Sequence, residues 1–389
     1  MTKKERSKII LVIICISFLQ GLQFWVSPVL GQISKHYPGI DVSLVQMLIT
    51  APSIVSVFVA LCSGRLVVKI SKKRLLLFAA LISGIAGIVP LLADSFLLLF
   101  LARMLYGVAL GLSATLNTAV VADFFQGDER VTVMGIQGAS IGAGMVCITT
   151  AAGKLGAIDF RGSYWVNLIG FLAFILIGIC LPRKKSDAEQ NSGKIKLNKE
   201  VYIVSAFTFL EFFFLITFTT NIAMHLSGSL QGSSTVSGSL TGIFSGIQIV
   251  AGLILGRVTK ITKRFTMPMA MLSFSIGAVL LLLFPSNMPL LIMGAVFCGF
   301  SQGIFIPTGM VTVSNAVAPV ATAMASAVFT CGMSLGQFLS PVCLNGFSSV
   351  LFGEATTGNV YRLSAVGMTV SALLAVIWQR NRSENGMKI

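Results

Sequence analysis

Apolar residues in this chain gather in long windows separated by short polar breaks. A helix needs about 20 apolar residues to cross the hydrocarbon of a bilayer. Windows of that length fit twelve times, at 9 to 30, 43 to 64, 75 to 93, 96 to 121, 131 to 153, 163 to 182, 200 to 224, 237 to 257, 266 to 284, 288 to 312, 320 to 345 and 360 to 380. The pattern predicts an all-α integral membrane protein of twelve transmembrane helices. The N-terminal basic residues Lys3, Lys4, Arg6 and Lys8 precede an apolar run with no small-residue cleavage pattern, so that run is read as the first span and not as a signal peptide.

The breaks carry a charge pattern. With the N-terminus placed inside, only Lys35, Lys154, Arg161 and Arg362 of the 28 basic residues fall on the opposite side, and Arg103 falls inside a span. Basic residues collect on cytoplasmic loops, so both termini are expected in the cytoplasm and the protein in the cell membrane. The formal charge of +15 then reads as orientation, and no nucleic-acid partner is expected. With 55% hydrophobic and 11% charged residues, the composition excludes a soluble protein, whose surface requires about a quarter charged residues.

The longest interior polar stretch, Arg183 to Lys199, divides the chain into halves at 1–182 and 200–389, with 183–199 as a cytoplasmic linker. Those halves repeat 192 positions apart. Gly64-Arg65 matches Gly256-Arg257, and Lys69-Ile70-Ser71 matches Lys260-Ile261-Thr262 after a one-residue gap. Gly107 and Gly111 match Gly299 and Gly303, and Gly144 matches Gly336. Six spans per half give both halves the same orientation, a parallel repeat.

These features resemble the major facilitator superfamily over nearly the whole chain. The segment from Gly64 to Arg74 is similar to the family's loop signature at Gly64, Leu66, Lys69, Lys72 and Lys73, with Val68 where the family usually has aspartate and Ser71 where it has a second glycine. Arg103, Gly107 and Gly111 look like its arginine-and-glycine signature in the fourth span, where the arginine has been linked to proton coupling. Gly135, Gly144 and Gly153 match the glycines of the efflux branches' signature in the fifth span, but Ile148-Thr149 replaces its Gly-Pro pair, and Ser340-Pro341 stands at the equivalent place of the repeat. The resemblance implies two six-helix halves rocking around a cavity lined by the first, fourth, seventh and tenth spans, and packing roles for these glycines.

An ionisable group in the hydrocarbon costs about 2.5 to 3.5 kcal/mol on insertion scales and usually faces a cavity or a partner. Two stand out, Glu211 and Arg103. Glu211 lies roughly 16 Å along its span at 1.5 Å per residue, near the midplane. It is expected to bind and release a proton or to engage a cationic substrate, because desolvation favours the neutral carboxyl and a nearby arginine the ionised one. A static hydrogen-bonded glutamate is the alternative. Arg103 is a coupling or substrate residue, or else a clamp on several backbone carbonyls. Gln20, Gln23, Trp25, Asn117, Asn221 and Gln302 are candidate substrate contacts or interhelical glue.

The histidines His36 and His225 fall near the outer surface, and there is no nucleophile motif or phosphate-binding loop. The seven cysteines show no metal-ligand spacing. No enzyme activity, cofactor or metal is expected. The expected function is secondary transport of a small solute by a monomer in the bilayer, proton-coupled, with export of small organic or amphipathic compounds favoured over uptake of a small organic anion or metabolite. A receptor or channel reusing the fold is the third reading.

Overall fold

A computed structural model describes residues 3–182, 197–229, 233–317 and 322–384. Most of the expected linker, 183–196, lies outside the described residues. Among those described, every regular element is a helix. The bilayer offers backbone groups no water, so each span must satisfy its own N–H and C=O groups internally, and helices do so.

By contacts the chain divides into two compact units. The first comprises 1–39, 47–192 and 234–242, the second 40–46, 193–233 and 243–389. The first holds α1 (Lys3–Gly21), α2 (Leu30–His36), most of α3 (Val42–Lys69), α4 (Lys72–Ile88), α5 (Phe96–Phe124), α6 (Gly127–Leu155) and α7 (Ile169–Cys180). In the second are α8 (Lys199–Leu215), α9 (Thr217–Ser229), most of α10 (Ser234–Thr262), α11 (Thr266–Leu283), α12 (Met288–Asn315), α13 (Thr322–Phe352) and α14 (Thr357–Glu384).

Eleven helical stretches among the described residues are long and apolar enough to cross a membrane. One of them, Ser234–Leu283, is 50 residues long and contains both α10 and α11. These join through a 3-10 turn at Lys263–Phe265, where Lys263 takes a φ of 48°. Counting α10 and α11 separately gives the twelve spans of the sequence pattern. Large apolar side chains such as Leu92, Ile179 and Leu253 point outward, as a lipid-facing surface requires.

The repeat in sequence is also a repeat in packing. A Cβ placed on Gly107 would meet the Pro52 carbonyl oxygen at 2.7 Å, and one on Gly111 the Ser56 oxygen at 2.6 Å. In the second unit, one on Gly299 would strike the Phe244 oxygen and one on Gly303 would meet the Gln248 oxygen at 2.7 Å. All four partners are 192 positions apart in pairs, so α5 rides on α3 as α12 rides on α10. Only a small residue lets two helix backbones approach this closely. The helix starts repeat as well: Ser95 caps the Leu98 N–H of α5, and Asn287 caps the Leu290 N–H of α12.

The expected loop from Gly64 to Arg74 is shorter than the sequence suggested. Its first half, Gly64 to Lys69, continues α3, and only Ile70 and Ser71 connect it to α4. The reason is local: from Arg65 to Ile70 no proline or glycine interrupts the helix, and Ser71 then sits in extended backbone as the N-cap of α4.

Candidate functional site

In the first unit the decisive local event is a broken helix. After Gly21 the first span passes through a 3-10 turn at Leu22–Phe24, a bend at Trp25 and Val26, and a second 3-10 turn at Ser27–Val29 before α2. Such a break frees carbonyls that a continuous helix would satisfy. Pro52 inside α3 adds another, since it has no N–H to give the Leu48 carbonyl four residues earlier. Arg103, 2% exposed on α5, closes these vacancies. Its Nε donates to Leu48 O at 2.7 Å, its NH1 to Leu22 O at 3.3 Å and its NH2 to Gln23 O.

The surroundings reinforce that arrangement. The guanidinium lies 5.1 Å from the Tyr106 ring centre and 5.6 Å from that of Trp25. Tyr106 donates to Leu19 O at 2.6 Å, and Gln23 Nε2 donates to Ser53 Oγ at 2.7 Å. The structure therefore brings Arg103, Gln23 and Trp25 together, all buried. All three gather at the break between α1 and α2, where Arg103 bonds two of the freed carbonyls.

Glu211 stands in contrast. It sits in the second unit on α8, fully buried, one turn before that span breaks at Ile216 between α8 and α9. Ser301 on α12 donates its hydroxyl to Glu211 Oε1 at 2.7 Å. Oε2 has no hydrogen-bond partner and Glu211 no ion pair among the described residues. Cys298, one turn before Ser301, is also buried. A buried ionised carboxylate without a counter-charge is costly, and a proton on the free oxygen removes the charge.

The other polar candidates separate by unit. Asn117 on α5 donates to Ser17 Oγ of α1 at 2.9 Å and leaves its Oδ1 unpartnered. Gln20, half-buried on α1, has an unpartnered Nε2. Asn221 on α9 accepts from Gln46 Nε2 at 2.8 Å, and Gln46 Oε1 accepts from Asn345 at 2.8 Å, so three amides form a line inside the second unit. Gln302 follows Ser301 on α12 and is 9% exposed.

Of the glycines, Gly144 packs against Phe18 of α1 and Gly336 against the backbone of Phe209 and Phe213 of α8. Gly153 packs against Ser234 and Gly238 at the start of α10, whereas nothing lies within 4 Å of a Cβ built on Gly135. In the loop signature, the surroundings of Gly64 and the side chain of Lys69 lie outside what is described, Leu66 is half-buried, and Lys73 donates to Gly178 O at 2.7 Å. Lys72 pairs with both carboxylate oxygens of Asp123 at 2.7 Å.

Ser301, Asp123, Gln46 and Asn345 did not emerge from the sequence. Asp123 lies just past the end of its apolar window, and the repeat relation to Asn315 could have flagged it. At the other end of the first unit Asp94 collects His36, Tyr37 and Arg161. Hydrogen bonds from Tyr37 and His36, then Arg161, hold its carboxyl down at about 2.

A sequence model described as the Major Facilitator Superfamily matches residues 12–207 and 201–387. The chain belongs to this superfamily. It is thus a multi-pass membrane transporter. Its relatives include the quinolone resistance protein NorA of Staphylococcus aureus (strain COL), 21% identical over 361 residues that cover 88% of this chain and 89% of NorA. The multidrug transporter AQR1 of Candida glabrata is 27% identical over 184 residues, 44% of this chain and 30% of AQR1. Among solved structures, a D-xylose-proton symporter superposes with a TM-score of 0.74 at 16% identity, covering 95% of this chain and 96% of the symporter. That superposition shows the major facilitator fold.

Proposed function

We propose that this protein is a proton-coupled secondary transporter of the cell membrane that exports small organic or amphipathic compounds by alternating access. The halves 1–182 and 200–389 are its moving parts, 183–199 their cytoplasmic linker, and both termini face the cytoplasm. The observation that carries the reading is Glu211: a buried carboxyl that has, among the described residues, one hydroxyl donor, one vacant oxygen and no counter-charge. Such a group changes charge when its surroundings open to water or close again. The drug-resistance names of NorA and AQR1 support export and the substrate class.

Uptake of a small organic anion is the competing reading, and it leans on Arg103. That guanidinium already donates to three backbone carbonyls. Its structural role leaves the anion reading without its main residue. In proteoliposomes carrying an imposed pH gradient and a quinolone probe, the wild type should move the probe against its gradient. Glu211→Gln should reach the same folded yield and lose the gradient-driven movement. Full activity in Glu211→Gln would overturn the proposal.

A further inference from the structure

The two units differ where the repeat is otherwise closest, at the basic ends of α3–α4 and α10–α11. In the first unit Lys72 is neutralised by Asp123 from the end of α5, with Nζ 2.7 Å from both oxygens, and Lys73 is satisfied by Gly178 O. Across the one-residue gap of the repeat, Lys72-Lys73 corresponds to Lys263-Arg264, and 192 positions after Asp123 stands Asn315. The cations persist in the second unit and the carboxylate does not.

What remains there is a cavity of about 770 Å³ lined by Lys263, Arg264, Thr308, Thr312, Asn315 and Gln379. Neither Lys263 nor Arg264 makes an ion pair or a side-chain hydrogen bond among the described residues, although Arg264 lies 4.9 Å from the Phe265 ring centre. Gln379 of α14, 6% exposed, lines the same cavity. The Thr308 and Thr312 hydroxyls already donate to Ile304 O and Thr308 O. Donors to a ligand therefore come from the two cations and the two amides, a set that suits an anion with several oxygens.

We propose that this cavity binds a phosphate-bearing anion, which supplies the negative charge that Asp123 provides in the first unit. Leu255, Met267 and Val311 also line it, so the phosphate of an anionic lipid headgroup, with the start of its chains, would fit as free phosphate would. The inference does not depend on the direction of transport or on proton coupling.

The test uses the purified full chain in nanodiscs. One arm titrates inorganic phosphate into discs of phosphatidylcholine, and the other replaces part of that lipid by phosphatidylglycerol; thermal stability and retained lipid by native mass spectrometry are read in each. Protection in the phosphate arm identifies a free anion, and protection with retained phosphatidylglycerol identifies a headgroup. The double variant Lys263→Gln/Arg264→Gln should weaken the effect at least about tenfold, given about 1 kcal/mol per basic residue against an anionic lipid. Asn315→Asp restores the carboxylate of the first unit and should abolish the binding while raising the melting temperature of the ligand-free protein. If neither source protects the wild type, or if both variants respond as the wild type does, the cavity is not an anion site.

Discussion

Arg103 and Glu211 are both ionisable, both buried and both beside a break in a membrane-spanning helix, yet their surroundings differ. The guanidinium in the first unit is spent: three donors meet three carbonyls released by Pro52 and by the turn after Gly21. Among the described residues the carboxyl in the second unit has one partner and one oxygen idle. A saturated charge is a fastener, because any movement must break several bonds at once. A half-satisfied carboxyl has a vacancy that a proton can take, and so it suits a cycle of binding and release.

The largest effect is expected from Glu211→Gln, which keeps the shape and the Ser301 bond but not the charge. Gradient-driven transport should fall to the level of empty vesicles while the folded yield is unchanged. Arg103→Ala should show the opposite division. It strands three carbonyls, and at about 0.6 to 1.7 kcal/mol for each interhelical bond the loss is about 2 to 5 kcal/mol. That loss should appear as poor folded yield in detergent. If Arg103→Ala folded normally and lost only transport, the fastener role would fail.

Repeat symmetry gives a third test. Gly107→Val and Gly299→Val should damage folding comparably, since each side chain would meet a carbonyl of the neighbouring helix, whereas Gly135→Ala should be neutral. Ser301→Ala removes the Ser301 hydroxyl that donates to Glu211. At about 0.6 kcal/mol, a factor of about three, it should lower gradient-driven transport far less than Glu211→Gln does.

The smallest effect concerns Asp94. Its carboxyl is lowered from an ordinary 3.8 to about 2, so the stabilisation by Tyr37, His36 and Arg161 is complete above about pH 4 and lost as pH falls through about 2. The melting temperatures of the wild type and Asp94→Asn should converge as pH falls from about 4 to about 2.

The spans were legible because each is a long apolar window, and the repeat because glycines at fixed spacing record backbone contact. The break in the first span was hidden. Gln20 and Gln23 interrupt an otherwise apolar window without ending it, so Gln23 reads as a cavity residue when it holds Ser53 beside the Arg103 clamp. Pro52 was the available clue, since a proline inside a membrane helix leaves a carbonyl in need of a donor. Ser301 was illegible in principle: a serine in an apolar helix is unremarkable until another helix places a carboxyl 2.7 Å away. The line of Asn221, Gln46 and Asn345 joins residues far apart in sequence, and no spacing rule connects them.

The most direct test of Glu211 as the proton carrier compares two modes in the same proteoliposomes: exchange of labelled for unlabelled substrate at equal pH on both sides, and accumulation driven by a pH gradient. Glu211→Gln should exchange at the wild-type rate, show no pH dependence in doing so, and fail to accumulate. If Glu211→Gln accumulated substrate under the gradient as the wild type does, the proton would travel elsewhere and Glu211 would be a structural residue.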